Sequence, residues 1–233
     1  MSQEHPSTIK IITVSSQAGS GGEKIAVKLA LQLGWRLVDQ EIPARVAEQL
    51  GLPGAETVVY NERTFGLFDR FLISMRYSSP QSTESWAAAS TLPLSYEAQE
   101  RQYRKAEERI IKSIAQAGRC VIIGHAAQIR LAQRSDALHI RIVAPLARRI
   151  GYVMQQEHLS MRQAASFVKR RERRLEHYIR QLAHCEINDP SLYDLVINSH
   201  ALDSESQVRL ICQTLEDKAR SLPSVPDNQA LER

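Results

Sequence analysis

A chain of 233 residues, 43% apolar and 24% charged, is long enough to bury a core in one domain, or in one domain with an insertion, without staples. Its ordinary composition and net charge of +4 suit a soluble globular protein, and no apolar run approaches the roughly 18 residues of a membrane helix, so no membrane partner is expected. Cys120, Cys185 and Cys212 are odd in number and widely spaced; this argues against a disulfide framework or a zinc site and for free thiols in a reducing compartment, the cytoplasm.

The polar start, Met1 to Lys10, has no signal-peptide core. Residues 10–14 predict a first strand, and 21–33 a helix with Ile25, Leu29 and Leu33 on one face, closed by Gly34. Between them lies Ser15-Ser16-Gln17-Ala18-Gly19-Ser20-Gly21-Gly22, a glycine cluster that leaves a strand and opens a helix. Phosphate binding uses that order, because glycines let amides approach an anion and the helix points its positive end there. The same cluster also fits a tight strand-to-helix turn. Trp35–Val38 is a short second strand, with Asp39 at its end, and 41–50 reads as a helix stopped by Gly51 and Pro53. Asp39 can cap that helix, contact a ligand, or do both.

From Gly54 to Ser95 the pattern weakens: an amphipathic helix is predicted over 64–77, then a Ser/Thr/Pro-rich loop over 78–95 that holds Trp86. A long charged helix follows from Tyr96 to Gly118, then the apolar strand Arg119–Gly124. A short helix, a strand over 137–143, helices over 146–157 and 160–182, a strand over 193–198 and a helix over 204–220 complete the pattern, and the tail over 221–233 is expected to be disordered. Strands alternating with helices, each strand apolar on both faces, predict an α/β three-layer sandwich with a parallel sheet flanked by helices. The expected domain spans 8–220, with 54–105 a helical and loop insertion on the acceptor side. Ligands of such sheets sit at the carboxyl ends of the strands, where the glycine loop, Asp39, Gly124 and His125 would gather.

Charge is unevenly placed. From Arg141 to Arg180 there are ten lysines and arginines against three glutamates. Such a block suits nucleotide phosphates or a nucleic-acid backbone, or is a solvated helix face.

The segments SxQxGSGGxxIA, LxxxLGWxxxDxE, VIIGxxA, LHIRIVAPLxxRI and YDLVINS, in this order over about residues 10–215, resemble the cytidylate kinase-like proteins among the P-loop nucleoside monophosphate kinases. The resemblance implies phosphoryl transfer from ATP, with the Mg²⁺ that the nucleotide brings, to a nucleoside monophosphate such as CMP. It implies a donor-binding loop of Ser16, Gln17, Gly19, Ser20, Gly21, Gly22, Glu23 and Lys24. It places Asp39, Arg45, Gly124 and His125 at the acceptor. Arg149, a catalytic candidate expected to neutralise the transferring phosphoryl group, follows the fourth strand, as a family arginine does. Arg171 and the catalytic candidates Arg173 and Arg174 fall in a basic lid, 158–185. Loose phosphoryl transfer is catalysed mainly by positioning and charge neutralisation, which convergent arginines supply.

The chain departs from a complete P-loop, GxxxxGK[ST], at two positions and from the family pattern at two further places. Gly22 stands where the lysine belongs, and Glu23 where the hydroxyl that ligates Mg²⁺ belongs. Lys24, two residues on at about 100° per residue, points to nearly the opposite side of the helix. Gly124-His125-Ala126 replaces the family's Gly-Arg-Asp, and Leu175 replaces a lid arginine. Two readings follow: a nucleoside monophosphate kinase, or a nucleotide-binding sensor or scaffold of the same fold. Nucleic-acid binding is a third and weaker one, because no recognition motif accompanies the basic block.

Overall fold

The computed structural model describes residues 9–51 and 96–222. The helix predicted over 64–77, the loop over 78–95 and the tail beyond 222 lie outside them. The chain divides into two compact units, Met1–Asp39 with Ile114–Arg233, and Gln40–Ser113.

The first unit is built on five strands: β1 (Ile11–Ser16), β2 (Arg36–Val38), β3 (Cys120–Ile123), β4 (Ala137–Val143) and β5 (Leu195–Asn198). They pair in parallel in the order β2-β3-β1-β4-β5. Helix α1 (Gly22–Leu33) follows β1. Gly34 ends it at φ +62°, and Trp35 N–H donates to Ala30 C=O at 2.9 Å, a left-handed cap that turns the chain into β2. In the second unit lie helix α2 (Glu41–Gln49) and most of the charged helix α3 (Tyr96–Ala117). Ion pairs at (i, i+4) spacing, such as Lys112–Glu108 at 2.6 Å, lie along α3.

Back in the first unit, a short α4 (Ala127–Arg130) follows β3, and α5 (Leu146–Glu157), α6 (Met161–Ala183) and α7 (Ser204–Ser221) complete the chain. Helix α6 starts in a capping box, Ser160 and Gln163 each serving the other's backbone N–H. Asp203 caps α7 by accepting from Ser206 N–H at 2.8 Å.

One face of the sheet carries the apolar core. Ile12, Val14, Leu138, Ile140 and Ile142 pack against Ile25 and Leu29 of α1 and Val208 and Ile211 of α7. Each such side chain stabilises the fold by about 1.5–3 kcal/mol on burial.

The other face corrects the expectation of strands apolar on both sides. Thr13 is in register with His139 and Ser15 with Arg141, and all four are buried. Period-two alternation puts this polar pair of pairs on one face and the isoleucines on the other. Thr13 Oγ1 lies 2.8 Å from His139 Nδ1. Arg141 donates to Ser15 Oγ at 2.7 Å and to Asn188 Oδ1 at 3.2 Å, and its guanidinium stands 5.9 Å from the Tyr193 ring centroid. Burial holds the His139 imidazole below its usual value and lowers that of Arg141, while it raises the Tyr193 phenol. His139 Nε2 and Arg141 Nε are buried without a hydrogen-bond partner.

Candidate functional site

The glycine loop lies at the carboxyl edge of β1 beside β4, and its shape is set from beneath. Gln17 N–H donates to Ile142 C=O at 3.0 Å, and Gln17 Oε1 accepts from Ala144 N–H at 3.1 Å. Ser20 N–H closes a turn onto Gln17 C=O at 3.0 Å, its hydroxyl reaches Ile142 C=O at 3.3 Å, and its own C=O accepts from Ser199 Oγ at 2.6 Å. Gln17 Oε1 and the Ser20 hydroxyl are thus engaged with the protein.

Two glycines are required by close approach. A Cβ on Gly19 would stand 2.5 Å from Arg149 C=O, and Gly19 has φ +80°. A Cβ on Gly22 would stand 2.4 Å from Ser16 Cβ. At Gly21 (φ +79°) nothing lies within 4 Å, so the loop opens outward there. The amides of Gly22, Glu23 and Lys24 begin α1 and have no intrahelical acceptor. An anion seated over Gly21 would meet those donors and the positive end of the helix.

The predicted cations behave differently from one another. Arg149 is buried: Nε donates to Ala144 C=O at 2.9 Å, and Nη1 donates to Ala18 C=O at 3.4 Å and to Glu172 of α6. It grips the loop from behind. Lys24 Nζ stands 5.0 Å from the Tyr152 ring centroid, turned toward α5. Arg173 and Arg174 lie on the exposed face of α6. The sequence reading gave Arg171 a smaller part, yet it is Arg171 that reaches the loop, donating from Nη2 to Glu23 Oε1 at 3.3 Å. The helix itself rests on the loop, with Ala18, Val153, Ala164 and Val168 forming a small apolar cluster flanked by Phe167.

At the acceptor edge, His125 Nε2 lies 3.8 Å from Asp39 Oδ1. The N-cap of α2 is Gln40, with no side-chain cap bond, so Asp39 does not serve as that cap. Gly124, His125 and Ala126 take φ of +70°, +55° and +51°, a left-handed turn in which two residues carry side chains. Gly124 N–H is tied to Val14 C=O at 3.0 Å, Ala127 N–H to Gly124 C=O at 3.0 Å, and Arg130 Nε to His125 C=O at 3.2 Å. Non-glycine residues held at positive φ cost about 1–3 kcal/mol each and cluster at ligand sites. Arg45 is an exposed residue of α2 in the other unit. Among the described residues no group of three or more His, Cys, Asp or Glu side chains is placed to hold a metal ion, and no helix is long and apolar enough to cross a membrane.

A parallel sheet with a glycine loop at its carboxyl edge, opening onto the first amides of a helix and flanked by arginines, defines a P-loop protein of the nucleotide-binding, kinase-like class. The model of the cytidylate kinase-like family matches residues 11–201, and the chain belongs to that family. The fold is shared with an uncharacterised protein from Eubacterium ventriosum, at TM-score 0.63 and 16% identity, covering 89% of this chain and 98% of that one. It is shared also with TT1252 from Thermus thermophilus, at TM-score 0.50 and 17% identity, covering 89% of this chain and 97% of that one. A uronate isomerase from Corynebacterium glutamicum is 29% identical over 151 residues, which is 65% of this chain and 28% of that protein. The chain thus spans little more than a quarter of that relative's length.

Proposed function

We propose that this protein is an ATP-dependent phosphotransferase that phosphorylates a nucleoside monophosphate of the CMP type. The observation that supports this most is the open space at Gly21, at the first turn of α1, where Arg171 pairs with Glu23 while Arg149 holds the loop's rear. In this reading ATP supplies the phosphoryl group and its Mg²⁺ screens the phosphate charge. The backbone of Gly21–Lys24 binds the donor phosphates, and Arg149 is a positioning residue that keeps Ala18 and α6 in register with them. Asp39, steadied by His125, accepts a hydrogen bond from a hydroxyl or amino group of the acceptor, with Gly124 shaping the turn. Arg173 and Arg174 are cations of the outer lid.

The test is ADP formation from Mg-ATP with each nucleoside monophosphate in turn, alongside calorimetric titration with ATP. Turnover with CMP above that with the others supports the reading. Gly21→Asp puts a carboxylate in the mouth at a left-handed position that aspartate tolerates, so it should abolish ATP binding and leave the fold intact. Gly22 is unsuited to that test, because any side chain there strikes Ser16.

A second reading is a nucleotide sensor or scaffold that does not transfer phosphate. It is favoured by one observation: position 22 has no room for the lysine of an ordinary P-loop. Tight ATP binding with no ADP formed from any acceptor would decide for it.

A further inference from the structure

We propose that the cavity between the C-terminal half of α6 and the turn that follows it is a second binding site, for a small zwitterion of the α-amino-acid type. It shares no residue with the donor and acceptor sites proposed above and stands or falls apart from them.

The cavity measures about 240 Å³ and is walled by Glu176 and Arg180 of α6 and by Cys185, Glu186, Ile187 and Asn188. Pockets for drug-sized ligands run from roughly 300 to 1,000 Å³, so its occupant is small. The second wall is held in place by the chain. His184 ends α6 at φ +53°, a left-handed cap whose N–H donates to Arg180 C=O at 3.0 Å. Ile187 is buried in the cluster around Ile179, and its C=O accepts from the Tyr193 hydroxyl at 2.8 Å. Asp189 N–H closes the turn onto Glu186 C=O at 3.0 Å. Glu176 and Arg180 lie about 6 and 12 Å along α6 beyond Glu172, at 1.5 Å per residue, and so further from the glycine loop.

The charges of the wall are unspent. Glu176 and Arg180 have the (i, i+4) spacing of a helical ion pair. Yet among the described residues the side chains of Glu176, Arg180 and Glu186 make no hydrogen bond or ion pair. Behind them stands Arg141, 4% exposed. Its Nη1 donates to Ser15, and its guanidinium rests by the Tyr193 ring. The remaining edge of the fork carries Nη2 and Nε. Nη2 donates to Asn188 Oδ1 at 3.2 Å, and Nε is buried with no hydrogen-bond partner. One amide oxygen thus half-fills an edge shaped for the two oxygens of a carboxylate. Burial holds the Arg141 guanidinium below its usual value, and the negative charge of Glu176 is among those that oppose this, so guanidinium and cavity wall feel one another.

Asn188 is an exposed residue of the turn. Its side chain can swing off Arg141 without a change in the backbone, and a ligand carboxylate in its place would meet Nε and Nη2 together. A buried donor left unpaired is costly, so completing the edge favours the ligand. Ser15 and Tyr193 keep the guanidinium in position during the exchange. Arg180 adds a second cation. Glu176 and Glu186 would repel a plain anion and suit an ammonium group instead. Two arginines and two glutamates balance, and a ligand with one charge of each sign complements them.

The test is titration of the nitrogen-labelled full chain with glycine, L-alanine and L-serine, and with acetate and methylammonium as half-ligands, at constant ionic strength. The readouts are the thermal midpoint and the Nε–H resonance of Arg141, assigned by its loss in Arg141→Lys. An amino acid should raise the midpoint and move that resonance, and neither half-ligand should match it. Arg180→Ala, a change at an exposed residue, should weaken the amino acid about tenfold. Glu176→Gln combined with Glu186→Gln should weaken the amino acid and admit acetate. Asn188→Asp gives the fork a resident carboxylate, so it should raise the midpoint of the ligand-free protein and weaken the amino acid. Gly21→Asp should leave amino-acid binding within about twofold of wild type, which separates this site from the donor site. No response to any of the amino acids would overturn the proposal. So would an equal response to acetate, which would mark a plain anion site, and so would wild-type affinity in Arg180→Ala.

Discussion

The two faces of the sheet carry the same strands but different chemistry. Toward α1 and α7 lie Ile12, Val14, Leu138, Ile140 and Ile142, fully apolar and packed without a polar atom to satisfy. On the opposite face, one residue out of phase, lie Thr13, Ser15, His139 and Arg141. The apolar face stabilises through area and carries no titratable group. The polar face must be hydrogen-bonded to be tolerated, and it meets that need only in part, since Arg141 Nε and His139 Nε2 remain without partners. Its last pair, Ser15 with Arg141, lies next to the glycine loop. Burial of polar groups is thus concentrated where the chain needs fixed geometry, and bulk stability comes from the other side.

The largest effect should come from the apolar face. Ile140→Ala should destabilise by about 2–5 kcal/mol, equally at pH 5.5 and 7.5, in urea unfolding. Arg141→Ala should follow at about 2–3 kcal/mol, because it leaves Ser15 and Asn188 facing a void. Arg141→Met should lose less than about 1.5 kcal/mol, since an apolar side chain of similar length also removes the cost of a buried charge. If methionine proves as damaging as alanine, the seam depends on its hydrogen bonds and not on filled volume.

The third prediction separates the faces by pH. Burial lowers the His139 value in the folded chain below its unfolded value of 6.5. The neutral imidazole therefore contributes full stability above about pH 6.5, and that contribution is lost as pH falls toward the folded value, at up to about 1.4 kcal/mol per pH unit. In His139→Gln this part of the slope should vanish, whereas Ile140→Ala should keep it. The smallest effect is local: Asp203→Ala should cost about 1 kcal/mol through loss of the α7 cap, read as an earlier thermal midpoint with unchanged nucleotide binding.

The alternation of elements, the glycine loop, the cap at Gly34 and the parallel class were all legible along the chain, because each is a local pattern of period, turn chemistry or composition. The polar seam was hidden by the same logic. Thr13 and Ser15 look like ordinary strand residues, and only register against β4 shows that His139 and Arg141 answer them. The site divided in the same way. Gly19, Gly21 and Gly22 were found by their spacing, and Arg149 by its place after β4. Which arginine of α6 reaches the loop was not readable, since Arg170, Arg171, Arg173 and Arg174 differ only in the direction each takes from the helix, and that direction is set by how α6 seats on Ala18.

By itself the sequence determined that this chain forms a parallel α/β sandwich with a phosphate-type loop and lacks the usual lysine, because periodicity and a missing residue are facts of order. Only the tertiary structure decided why that lysine is missing and what stands near its place. Ser16 closes on Gly22, Arg149 is drawn under the loop, and Arg171 is carried to Glu23, all by contacts between residues far apart in the chain.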